Sequence, residues 1–140
     1  MSETMTLTYN VDGDDFVSCG KASEDVKRTL KSIGVSSDVI RKVAIAMYEG
    51  EVNMVIHGGG GVATVKITDN SVVVELKDTG KGIADIEQAM QEGYSTASDE
   101  IRELGFGAGM GLPNMKKYSD KLDIESEVGV GTTIYLTFDL

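Results

Sequence analysis

Glu49 and Asn53 stand four residues apart in a stretch patterned as helix. At about 100° of turn per residue they share one face, about 40° apart, while Glu51 points nearly the opposite way. A carboxylate beside an amide oxygen suits phosphate chemistry at a hard cation. Asn53 can ligate Mg2+, which keeps several waters and takes its other oxygens from phosphates, and Glu49 is left as a base. The polar margin of a solvated helix is the other reading of this pair. A second carboxylate, Asp78, follows an alternating strand and precedes Gly80, Gly82 and Ile83. The two glycines remove side chains that would bar a planar ligand. A carboxylate only accepts hydrogen bonds, so it favours the exocyclic amine of adenine over the carbonyl of guanine. Taken alone, Asp78-Thr-Gly80 also reads as an ordinary turn.

A third station lies between residues 105 and 111, where Gly105, Gly107, Gly109 and Gly111 alternate with Phe106, Ala108 and Met110, and Pro113 opens a helix. Backbone amides and the positive end of the helix dipole converge there on the place of α- and β-phosphates. The loop is neither a P-loop nor a Rossmann fingerprint, since the chain has no Gly-x-x-x-x-Gly-Lys-Ser/Thr and no glycine motif within a βαβ unit. A flexible linker is its alternative. Together the three stations read as a pocket for ATP in preference to GTP. His57 extends the row of Glu49 and Asn53 but fits a cap or packing role. Lys116 and Lys117 fit a solvated pair. Ser95, Thr96 and Arg102 sit in an aperiodic stretch where a lid would fold over a γ-phosphate.

These residues need elements to hold them. Alternation over 5–11 predicts an edge strand. Ala22, Val26, Leu30 and Ile33 recur at helical spacing, predicting an amphipathic helix from about Ser23 to Ile33, with Gly34 as its stop. Ser36 or Ser37 caps a longer helix to about His57, so apolar around its circumference that it must pack on two sides. Strands over 62–68 and 72–77 form a hairpin at Asp69-Asn70. A short helix over 83–91 and a loop over 92–111 follow. Pro113 suits a first helical residue, with the helix running to about Tyr118. Strands over 122–127 and 132–139 close the chain around Gly129-Val-Gly131.

The 140 residues suit a single domain, 1–140, with 41% hydrophobic and 26% charged residues. No apolar run is long enough to cross a bilayer, and the first residues lack the features of a signal peptide. One cysteine, Cys19, excludes a disulfide within the chain and fits a reducing cytoplasm. The formal net charge of −10 repels nucleic acid and favours a protein partner. Against that balance Lys21, Lys27, Arg28, Lys31, Arg41 and Lys42 cluster on the two early helices, as a docking face for an acidic partner or as solvated helix sides.

Glu49-x-x-x-Asn53, Asp78-x-Gly80-x-Gly82, Gly105 to Gly111 and Gly131-Thr132-Thr133 resemble, in order and interval, the N box, two glycine boxes and last conserved element of the GHKL ATPase superfamily. The segments 109–118 and 122–132 are similar to its short anti-sigma factor and switch-protein serine kinases. The resemblance implies a Bergerat-type α+β two-layer sandwich, its mixed, mainly antiparallel sheet carrying helices on one face. It implies Glu49 as general base on a partner's Ser or Thr, Asn53 as Mg2+ ligand and Asp78 as adenine reader. Its cofactor-binding set is completed by Gly80, Gly82, Ile83, Gly105, Gly107, Gly109, Met110, Gly111, Leu112 and Thr132, the last beside the adenine. As a residue type Met110 reads only as core filler.

The implied activity is ATP-dependent serine/threonine protein kinase chemistry on an anti-anti-sigma-like protein, with a sigma factor as competing partner. Homodimers occur in the family, and no residue here specifies one. The alternatives are a nucleotide-controlled binding module with slight chemistry and, ranked lower, a histidine kinase catalytic domain acting in trans. Direct nucleic-acid or membrane binding is not expected.

Overall fold

The computed structural model of the chain describes residues 4–12, 20–57, 59–80 and 111–140. Strands β1 (Met5–Asp12), β2 (Gly60–Ile67), β3 (Ser71–Asp78), β4 (Lys121–Glu127) and β5 (Gly131–Asp139) form one sheet in the order β1-β2-β3-β5-β4. Every neighbouring pair is antiparallel, so the mixed sheet implied by the resemblance is purely antiparallel among the described residues. β1 lies at an edge, as its sequence predicts.

Period-two patterning gives the sheet two unlike faces. Leu7, Val65, Val74, Leu136 and Leu122 are register neighbours on the inner face, and Tyr9, Ala63, Leu76, Ile134 and Ile124 form the next row. The intervening outer row is Thr8, Thr64, Glu75, Tyr135 and Asp123. Among the described residues three helices cover the inner face: α1 (Lys21–Ser32), α2 (Ser37–His57) and α3 (Gly111–Tyr118). α2 crosses the middle of the sheet with α1 on one flank and α3 on the other, which is why its sequence is apolar on so many sides. Val26 and Leu30 of α1, Val43, Ala46 and Met47 of α2 and Met115 of α3 are buried against the strands' inner rows.

Helix ends follow local chemistry. Ser36 caps α2, its hydroxyl accepting from the Val39 N–H at 3.4 Å. α1 stops at Gly34, whose φ of 84° is left-handed. The Val35 N–H then donates to the Leu30 carbonyl and the Gly34 N–H to that of Lys31, satisfying carbonyls the helix leaves open. α3 begins at Gly111, two residues before the expected start at Pro113. The proline is tolerated because N–H groups of a first turn have no intrahelical acceptor. α1 likewise starts at Lys21, earlier than the expected Ser23, because a residue of α2 caps it.

Candidate functional site

Asp78 is the last residue of β3, and glycines on both neighbouring strands let the chain close around it. A Cβ on Gly131 would lie 2.3 Å from the Asp78 carbonyl oxygen, and one on Gly61 would lie 2.1 Å from that of Lys77. No side chain fits at either position, so β2 and β5 approach the end of β3 closely. The Asp78 residue is 7% exposed, and its Oδ1 accepts from the Thr132 N–H at 3.1 Å and the Gly80 N–H at 3.0 Å. Two donors thus orient the carboxylate, and among the described residues both end on Oδ1. The Ser126 hydroxyl donates to the Gly131 carbonyl at 3.2 Å and lies 2.8 Å from the Thr132 hydroxyl, tying β4 to the same corner.

Glu49 and Asn53 are half-buried on the C-terminal half of α2. Between them Gly50 faces the core, where a Cβ would lie 2.1 Å from Leu76 Cδ1 and 3.5 Å from Met115 Sδ. Its bare backbone lets α2 settle onto β3 and α3 together. Glu49 consequently reaches α3, where the Asn114 amide donates to its Oε1 at 3.3 Å. Met54, next to Asn53, extends toward Gly61, the register partner of Asp78: its Cε lies 2.8 Å from a Cβ built there. The first station therefore reaches α3 through Glu49 and Asn114, and the turn that carries it approaches the end of β3 through Met54 and Gly61.

Glu51 faces away from this corner, as helix geometry predicts. Its residue is 2% exposed, and its two oxygens accept from the Gly20 N–H at 2.9 Å and the Ser23 N–H at 2.6 Å, at the start of α1. Neither that role nor the contact of Asn114 with Glu49 was found from the sequence. Asn114 is 65 residues from its partner, and a buried glutamate in a helix carries no signal of the backbone it will cap. The visible hint was Gly20, a helix start without a side chain to cap itself.

Of the other expected site residues, Gly111 is the first residue of α3 and Leu112 lies in the core, 6% exposed. Gly82, Ile83, Gly105, Gly107, Gly109 and Met110 lie outside the described residues, as do the expected helix over 83–91 and Ser95, Thr96 and Arg102. His57 ends α2. Lys116 and Lys117 are exposed in the last turn of α3, with Lys117 Nζ 5.4 Å from the centre of the Tyr118 ring. Three of the six early basic residues pair within their own helices, Arg28 with Asp25 and both Arg41 and Lys42 with Asp38. Lys21, Lys27 and Lys31 stand exposed. On the α1 flank, the Tyr9 hydroxyl donates to Asp25 Oδ2 at 2.5 Å. Burial, and then the Asp25 carboxylate, push the Tyr9 phenol well above its ordinary range.

The family model described as histidine kinase-, DNA gyrase B- and HSP90-like ATPase matches residues 38–140, from the first turn of α2 through β5. The chain belongs to this ATPase family. Relatives include the anti-sigma F factor of Thermoanaerobacter sp. (strain X514), 39% identical over 103 residues that cover 70% of this chain and 68% of that protein. The anti-sigma F factor of Clostridium acetobutylicum is 37% identical over 102 residues (69% and 68%), and that of Geobacillus stearothermophilus 33% over 107 residues (72% and 70%). A solved structure of the RsbU and RsbW domains of Rv1364c from Mycobacterium tuberculosis superposes with a TM-score of 0.66 at 18% identity. It covers 96% of this chain and 32% of that longer one, and at this identity it speaks for the fold alone.

The family implies ATP, and the corner fits it. Asp78 is a fixed, buried acceptor where a base amine would donate, and α3 begins beside Glu49. For Mg2+ the donor set is lean. Among the described residues no three His, Cys, Asp or Glu groups gather to hold a metal. Magnesium at nucleotides takes most of its oxygens from phosphates and water, so the half-buried Asn53 is the side chain that would be offered to it here. No helix of the described residues is long and apolar enough to cross a membrane.

Proposed function

We propose that this chain is an ATP-dependent regulatory serine/threonine protein kinase of the anti-sigma type, acting on a small protein partner. Asp78 accepts the adenine amine on a carboxylate already oriented by the Thr132 and Gly80 amides. Asn53 would hold Mg2+, which when bound would neutralise and align phosphate oxygens. Glu49 takes the proton from a partner's hydroxyl as that oxygen bonds to the γ-phosphorus, while the bond from phosphorus to the bridging oxygen breaks and ADP leaves. The partner is an anti-anti-sigma-like protein, with a sigma factor competing for the kinase. The relatives' shared description as anti-sigma F factor supports this class.

The observation that carries the reading is that Glu49 stands half-buried beside α3, one helical turn from Asn53, whereas its neighbour Glu51 is consumed by backbone donors. A base must be reachable, and Glu51 is 2% exposed with a backbone amide on each oxygen, whereas among the described residues Glu49 is half-buried and accepts from Asn114 alone. The test is phosphate transfer from γ-labelled ATP to candidate partner proteins. Transfer that disappears in Glu49→Ala supports the kinase. ATP-dependent partner affinity with no transfer, unchanged in Glu49→Ala, would instead make the chain a nucleotide-controlled binding module.

A further inference from the structure

α1 begins with a residue that cannot cap it. Gly20 occupies the N-cap position at φ 102°, with no side chain to accept the open N–H groups of the first turn. Of these the Ser23 N–H goes to Glu51 of α2 instead, and the other Glu51 oxygen takes the N–H of Gly20 itself. A negative group at a helix N-terminus is favoured by both hydrogen bonding and the helix dipole. The same glycine is held from a second side, since a Cβ there would lie 3.0 Å from the Tyr48 ring. Tyr48 and Glu51 flank Glu49 in the chain, so the turn carrying the proposed base is the turn that grips α1. Its opposite side is pinned through Gly50 on Leu76 and Met115.

We propose that Glu51 is a positioning residue: by clamping the start of α1 it holds the turn that carries Glu49 and Asn53 in register with the nucleotide corner. The proposal rests on the kinase reading for its effect on rate, but the clamp itself is testable without it. Glu51 does not touch substrate; it acts through the α2 backbone. Replacing one of its oxygens by an amide NH2 turns an acceptor toward backbone donors into a donor, so a substitution of nearly equal volume breaks the clamp.

The experiment compares the full-length parent, Glu51→Gln and Glu51→Asp, well below their melting temperatures. In Glu51→Gln, kcat for transfer should fall about tenfold while KM for ATP stays within about twofold, because a small displacement of a reacting group costs rate before it costs binding. Glu51→Asp, which keeps the charge on a shorter stem, should recover part of kcat. Amide hydrogen exchange is followed in the same variants, with faster exchange expected in Glu51→Gln across both residues 21–24 and residues 48–53. Faster exchange confined to α1 overturns the proposal whether or not the parent transfers phosphate, and so does an unchanged kcat in an active parent. A parent inactive toward every partner counts against the kinase reading alone, and the exchange pattern then decides the clamp.

Discussion

Two carboxylates face the proposed ATP, and the molecule treats them differently. Asp78 is buried at a strand end, with two backbone amides on one oxygen and glycines on both sides that bring the neighbouring strands close. Glu49 is half-buried on a helix, and among the described residues its one hydrogen-bond partner is the Asn114 side-chain amide at 3.3 Å. Recognition of a planar base needs an acceptor whose direction is fixed before the ligand arrives. Proton abstraction needs a group that can still choose its partner. On the proposed function the difference would give specificity to the sheet corner and reaction to the helix, and it can be attacked from either end.

The largest effect is expected at the helix. Glu49→Ala should slow transfer by about 10²- to 10⁴-fold, the range for loss of a positioned base, and leave ATP affinity nearly unchanged in a fluorescence titration. At the corner, Asp78→Asn should cost about 1.5–3 kcal/mol of ATP binding, the loss of a hydrogen bond to a charged group, and narrow the preference for ATP over GTP in competition. If both substitutions weakened binding equally, the division of labour would be wrong.

A smaller effect, on stability, follows where the two regions meet. Gly50→Ala drives a methyl group into Leu76, which is fully buried and has little room to yield. It should destabilise the fold by about 1–3 kcal/mol in urea unfolding, with ATP binding falling as the helix lifts from β3. The smallest effect lies on the far flank. Folding raises the Tyr9 phenol above its ordinary value of about 10, so the unfolded chain gives up that proton first. The stability from the neutral phenol is therefore whole below about pH 10 and drains away as pH rises above it. Tyr9→Phe should cost about 1 kcal/mol at pH 7, since the hydroxyl is partly solvated, and flatten this alkaline decline in melting temperature.

Much of this arrangement was legible in the residues. Helical spacing separated Glu49 and Asn53 from Glu51, and the alternation of β2 and β3 put Asp78 at a strand end, because both signals are periodic and local. The lateral order of the sheet was not, since β5 pairs with β3, and β1 with β2, across separations that no short window contains. Gly50, Gly61 and Gly131 carry close approaches between distant segments, and a glycine in sequence does not say what will come near it. The clamp of Glu51 on Gly20 is of the same kind: the need for a cap is local, and its donor lies 31 residues away.

The most direct test of the account is calorimetric titration of Mg-ATP into the parent, Glu49→Ala and Asp78→Asn. Saturable heat at one nucleotide per chain, kept in Glu49→Ala and strongly reduced in Asp78→Asn, is the predicted result. No heat in the folded parent, or full affinity in Asp78→Asn, would contradict it.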